Sequence, residues 1–206
     1  MARRIQVEIN FIILVISLLC LMVACKAPEN AADLYFYDSD SLRSGDIILR
    51  KSYGLLSDII VARLHDTVDI SHCGILVKEA DSSFCVIHAL AKSVSEADGV
   101  QKCSLKKFMA DSRPETVKVV RFKNDSDKRI AGKALYYLAK KVKFDNNFNL
   151  KDTTAFYCSE LPYHILKQEF DFSVSDESHL LKFSVFFNPQ FFSIVPFVKQ
   201  KNVMEL

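Results

Sequence analysis

Glycine and proline are scarce, five of each in 206 residues, which excludes a collagenous or low-complexity chain. Charge of one sign is lacking too: 27 Lys and Arg stand against 25 Asp and Glu, for a formal net charge of +2. There is no block of like charge and no basic run interleaved with aromatics. A nucleic-acid binder needs that electrostatic footprint, so nucleic acid is not an expected partner. No internal repeat and no Cys-x-x-Cys pair occurs. What remains is a chain 50% hydrophobic and 25% charged, long enough for one ordinary domain with a real core.

The longest apolar run, Phe11 to Ala24, follows Arg3 and Arg4 and is broken only by Ser17 and Cys20. It is short for a bilayer span and suits the h-region of a signal peptide. It ends Leu21-Met22-Val23-Ala24-Cys25, which resembles the lipobox of bacterial lipoproteins. This gives residues 1–24 as a cleaved signal peptide, Cys25 as the lipidated N-terminus, and 25–43 as a tether to a membrane. A plain secretory signal or an uncleaved anchor is the alternative; all of these place the domain, 44–206, outside the cytoplasm. With Cys25 lipidated and Cys158 reactive, three cysteines remain, and an odd number argues against a disulfide framework.

Hydrophobic periodicity along 44–206 gives the α+β class. Asp46 to Lys51 reads as a strand and Leu55 to His65 as a helix. Asp69 to Val77 and Phe84 to Leu90 read as an antiparallel pair, Gly99-Val100 as the start of another strand, and Leu105 to Met109 as a helical turn. Thr116 to Lys123 completes a sheet of at least four strands. Asn124-Asp125-Ser126 offers caps for a helix from about Asp127 to Lys141, and a second helix runs from Tyr157 through Gln168. A Phe-rich tail follows.

Cys158 falls at the start of that second helix. Unpaired N–H groups there lower a thiol pKa and can receive an oxyanion, with Tyr157 and Ser159 as the immediate neighbours. If Val77 faces Ser83 across the loop, opposed residues sum to 160 and His72 lies opposite His88 on one face. An imidazole base oriented by a polar neighbour is what a cysteine–histidine–polar triad requires. His65, His164 and His179 read as structural. A zinc site using Cys85, His88, Cys73 and His72 competes, but strand alternation sends Cys85 and His88, and likewise His72 and Cys73, to opposite faces. The reading needs no metal and no cofactor.

Four motifs in order resemble the permuted papain-like amidases of the YaeF/YiiX type, relatives of the NlpC-type cysteine peptidases. They are Ser44-Gly45-Asp46-Ile47-Ile48, Ser71-His72-Cys73-Gly74-Ile75, Val86-Ile87-His88-Ala89 and Tyr157-Cys158-Ser159-Glu160-Leu161. The resemblance implies a circularly permuted papain-like fold, with Cys158 as nucleophile, His72 as general base and acid, and His88 as the orienting residue. The chain departs from the pattern in His88, where many members have Glu; in Cys73, commonly Val; and in Pro162, where a helix-compatible apolar residue is usual. The implied substrate is an amide, with a peptidoglycan stem peptide first, lipid ester or amide chemistry second, and a catalytically silent binding lipoprotein as a third class.

Overall fold

Side-chain alternation along the central strands sets the architecture. The computed structural model describes residues 35–174 and 180–200, so the signal segment, Cys25 and His179 lie outside the described residues. Six strands, β2 (Ile47–Arg50), β3 (His72–Lys78), β4 (Phe84–Leu90), β5 (Gly99–Ser104), β6 (Lys118–Phe122) and β7 (Phe192–Val195), form one antiparallel sheet. Their spatial order is β5-β4-β3-β2-β6-β7. β1 (Tyr35–Tyr37) pairs with β8 (Val198–Gln200) as a separate ribbon. The helices are α1 (Leu55–Leu64), α2 (Leu105–Ala110), α3 (Arg129–Ala139) and α4 (Glu160–Phe170).

Both faces of the sheet are covered, which is why β2 reads as an unbroken apolar run rather than as alternation. On one face Leu49, Cys73, Ile75, Val77, Cys85 and Ile87 pack against Ile130 and Ala134 of α3, Leu161 and Ile165 of α4, and the phenylalanines of the tail. On the other, Ile48, Leu76, Val86 and Val119 pack against Phe108 and Met109 of α2, with Leu42 and Phe197 closing the layer. Asp46, 1% exposed, ties β2 to β6: its two carboxylate oxygens accept from Arg121 Nε at 2.7 Å and Nη2 at 2.8 Å. The α3 start is held by Asp125, which accepts from Arg129 N–H at 2.7 Å. Capping thus comes from the predicted cluster, although the helix opens two residues later.

Within the 25–43 stretch read as tether, β1 begins at Tyr35, where the C-terminal strand returns to pair with it and Asp38 N–H donates to Phe197 O at 2.8 Å. No local period announces a partner so distant in sequence. The β3–β4 register sums to 162, as in Ile75↔Ile87 and Val77↔Cys85, not 160. The connection sits one residue later than expected, with Glu79 N–H donating to Ser83 O at 2.8 Å and Ser82 at φ +68°. Finally, α1 turns its apolar residues outward, with Leu55 72%, Leu56 52% and Ile59 52% exposed. No described helix is long and apolar enough to cross a membrane.

Candidate active site

Beyond Ile75↔Ile87, β3 and β4 stop pairing with each other: β3 continues to His72 beside β2, and β4 continues to Leu90 beside β5. His72 and His88 stand just past the end of this pairing. In the observed register the residue opposite His88 is Gly74, not His72, so the two imidazoles meet on a diagonal. Gly74 makes this possible. A Cβ there would come within 2.4 Å of Val86 Cγ1 and 3.1 Å of His88 Cβ, so its absence lets the histidine lie across the strand. His72 Nε2 and His88 Nδ1 share a 2.8 Å hydrogen bond, with ring centroids 5.1 Å apart.

Both rings are buried, and Phe108 packs on both, at 5.8 Å from His72 and 5.9 Å from His88. Arg50, which pairs with His72 across β2–β3, lies over the same phenyl ring at 4.2 Å and donates to Phe108 O at 2.6 Å. Burial, then the charges of His88 and Arg50, holds His72 well below the ordinary histidine range. His88 is pushed down to about 3 by burial, then by Arg50 and Lys107. Both imidazoles are therefore neutral at physiological pH. Arg50 borders the histidine pair and was not singled out in the sequence; its signal was a lone cation closing the otherwise apolar run Ile47-Ile48-Leu49.

Cys158 sits in the turn before α4, whose N-cap is Ser159. Its carbonyl accepts from Cys73 Sγ at 3.2 Å, which seats the turn directly on β3, one residue from His72. Burial raises the thiol to about 11, against the lowering effect of the Ser159, Cys158 and Cys73 N–H groups turned toward the sulfur. The resting sulfur is thus a thiol, contrary to the expected depressed pKa: burial outweighs the few N–H dipoles. Among the described residues no hydrogen bond joins this thiol to His72. The structure brings the two histidines into contact and seats the turn that carries Cys158 on the His72 strand through Cys73, with the Cys158 side chain packed in the α3–α4 layer.

Tyr157 and Ser159 differ in what they offer. The Tyr157 N–H is taken by Glu160 Oε2 at 3.1 Å, and its hydroxyl accepts from Leu181 N–H at 3.0 Å. The Ser159 hydroxyl donates to Leu181 O at 3.2 Å, while its N–H faces the sulfur. Of these two neighbours, Ser159 is the one with an N–H directed at the thiol. Glu160, 1% exposed, has its carboxyl pushed up to about 8 by burial, and its Oε1 has no partner among the described residues. It stands neutral beside Cys158. Phe148 of the preceding loop packs on Tyr157 at 5.3 Å, the loop being shaped by Asp145, which accepts from Asn147 and Asn149 N–H.

The other candidates separate. Cys73 and Cys85 pack in the α3–α4 layer while His72 and His88 contact Phe108 of the opposite layer. Among the described residues no three His, Cys, Asp or Glu side chains converge as metal ligands. His164 is stacked on Phe156 at 4.6 Å and packs inside the core, as a structural residue does. A groove of about 690 Å³ lined by Arg43, Asp46, Lys78, Arg121 and Lys128 lies at the far end of β2 and β3, away from these residues.

The model of the family described as permuted papain-like amidase enzyme, YaeF/YiiX, C92 family, matches residues 41–200. The crystal structure of metalloprotein yiiX from Escherichia coli O157:H7 (DUF1105) is similar, with a TM-score of 0.52 at 24% identity over 66% of this chain and 71% of that one. At that identity the likeness speaks for the fold. No curated protein matches the chain closely enough to count as a relative. Across most of its length, then, from residue 41 ahead of the first strand of the sheet to residue 200 at the end of β8, this chain belongs to the permuted papain-like cysteine amidases of the YaeF/YiiX, C92 family.

Proposed function

We propose that Cys158, His72 and His88 act as the catalytic triad of an extracytoplasmic amidase held at a membrane through a lipid on Cys25. The observation that carries the reading is the buried His72–His88 hydrogen bond between β3 and β4, beside the residue to which the Cys158 turn is bonded. For His72 Nδ1 to be free as a base, its proton sits on Nε2 and is donated to His88 Nδ1, which leaves the His88 proton on Nε2. With thiol and imidazole both neutral at rest, the proton passes from Sγ to His72 as sulfur attacks the carbonyl carbon. The resulting oxyanion accepts from the Cys158 and Ser159 N–H groups. His72 then protonates the leaving amine, and a water deprotonated by His72 releases the acyl group from Cys158.

The substrate we favour is a peptidoglycan stem-peptide amide, supported by the amidase family and by the signal segment preceding Cys25. A second reading, hydrolysis or transfer of a lipid acyl group, is favoured by one feature. Leu55, Leu56 and Ile59 are exposed on the helix whose Ser57 hydroxyl is bonded at 2.6 Å to Ser71, the residue before His72. Digestion of purified sacculi against labelled phospholipid vesicles separates the two; release from vesicles with intact sacculi overturns the first reading. In either assay Cys158→Ser and His72→Ala should abolish turnover, whereas His88→Ala should leave a measurable remainder. Parental activity in Cys158→Ser would dismiss the nucleophile. Mass spectrometry and fractionation of Cys25→Ala test the anchor: the parent should carry the acyl mass and the variant should leave the membrane.

A further inference from the structure

Proline leaves a gap in the hydrogen-bond ladder at the start of α4. Leu161 N–H donates to Tyr157 O at 3.2 Å and Tyr163 N–H to Ser159 O at 3.4 Å. The bond between these two in the ladder would run from residue 162 to the carbonyl of Cys158. Pro162 has no N–H to give. A carbonyl shielded from water and left without a donor is costly, and here the half-buried carbonyl belongs to the residue read as the nucleophile. The donor that reaches it comes from the sheet instead: Cys73 Sγ, 3.2 Å away on β3. Cys73 has no exposed surface, and burial, then the neighbouring Cys158, holds its thiol well above the usual range. The hydrogen therefore stays on sulfur and is available for donation.

We infer that Cys73 is a positioning residue for Cys158: its thiol supplies the hydrogen bond that Pro162 withholds and pins the nucleophile's carbonyl to the strand that carries His72. The catalytic consequence rests on the reading of Cys158 as nucleophile; the coupling of positions 73 and 162 does not. His72 immediately precedes Cys73, so one bond fixes the spacing between the base strand and the nucleophile turn. Valine at 73 would fill a similar volume but donate nothing. Cys73 and Pro162 are thus two halves of one arrangement.

A double-mutant cycle in the full chain tests this, using Cys73→Val, Pro162→Ala, their combination, and Cys73→Ser as the variant that keeps a donor. Three quantities are read: the urea midpoint, the rate at which iodoacetamide modifies Cys158 as located by mass spectrometry, and kcat and KM on an accepted amide. Cys73→Val should lower kcat about two- to tenfold, the range of one net hydrogen bond, with KM nearly unchanged because Cys73 does not touch substrate. Its urea midpoint should fall and its Cys158 modification rate should change. Cys73→Ser should stay near the parent. Adding Pro162→Ala to Cys73→Val should recover most of every loss, since residue 162 then donates to Cys158 O. Equal losses from Cys73→Val with Pro or Ala at 162, or no loss at all, would overturn the inference. The urea and iodoacetamide arms decide the coupling even if Cys158→Ala retains turnover, an outcome that would remove only the nucleophile assignment.

Discussion

His72 and His88 meet because one position between them has no side chain. Gly74 is not needed for an unusual φ; it is needed for space, since a methyl there would overlap Val86 Cγ1 and press on His88 Cβ. Gly74→Ala should therefore separate the two rings, lower kcat by at least the factor seen for His88→Ala, and destabilise the fold by about 1–3 kcal/mol, the usual cost of overpacking. Chemical denaturation and kinetics on the same preparation check both effects. An unaltered His72–His88 coupling by ring-nitrogen NMR in that variant would show that the strand gives way more readily than the geometry implies. This residue also shows what could be read in advance. The register sum was two higher than expected, yet the pair kept its common face, because strand alternation has a period of two and only an odd slip changes the face.

At the scale of elements, the fold positions the site by joining pieces far apart in sequence. Asp46 just ahead of β2 and Arg121 on β6 are bonded through two short contacts around a carboxylate with almost no exposure. Arg121→Leu removes the cation and leaves Asp46 with the Arg43 N–H at 2.8 Å. It should cost about 3 kcal/mol, as uncompensated buried charges do, and Asp46→Asn added to it should return part of that loss in urea denaturation. The Ser44-Gly45-Asp46 motif therefore serves the sheet rather than the chemistry. α1 makes the opposite case: its apolar spacing is genuine, but its apolar residues are left outside, and spacing alone cannot say which way a helix will face.

For the whole molecule the buried titratable groups set the dependence of stability on pH. His72 lies well below its ordinary value, His88 is pushed to about 3 and His164 to about 4, each with burial as the first cause. A histidine depressed in the folded state binds its proton more readily when unfolded, so its contribution is complete above about 6.5 and is lost as pH falls. Glu160 has the opposite sign. Its carboxyl is pushed up to about 8, so its contribution is complete below about 4.5 and is lost as pH rises through 8. Three imidazoles oppose one carboxyl between those limits, and the urea midpoint should rise from pH 4.5 to about 6.5 and then decline toward 9. Glu160→Gln should flatten the alkaline decline and leave the acid limb in place; an unchanged decline would assign it to other groups.

Sequence alone determined what depends on local period and residue chemistry. Alternation gave the sheet and the common face of His72 and His88, helical spacing and an Asp cap gave α3, and a cysteine ahead of an apolar helix marked the candidate nucleophile. These signals survive small errors of register because each repeats along its element. Tertiary structure alone decided the rest. It decided that β1 finds its partner at the C-terminus, that the β3–β4 pairing ends where the histidines stand, and that Arg50 lies buried over Phe108. It decided as well that Cys158 rests as a thiol seated on Cys73. Each of these is a contact between segments with no shared period, and each depends on how much water packing excludes, a quantity no short window of sequence contains.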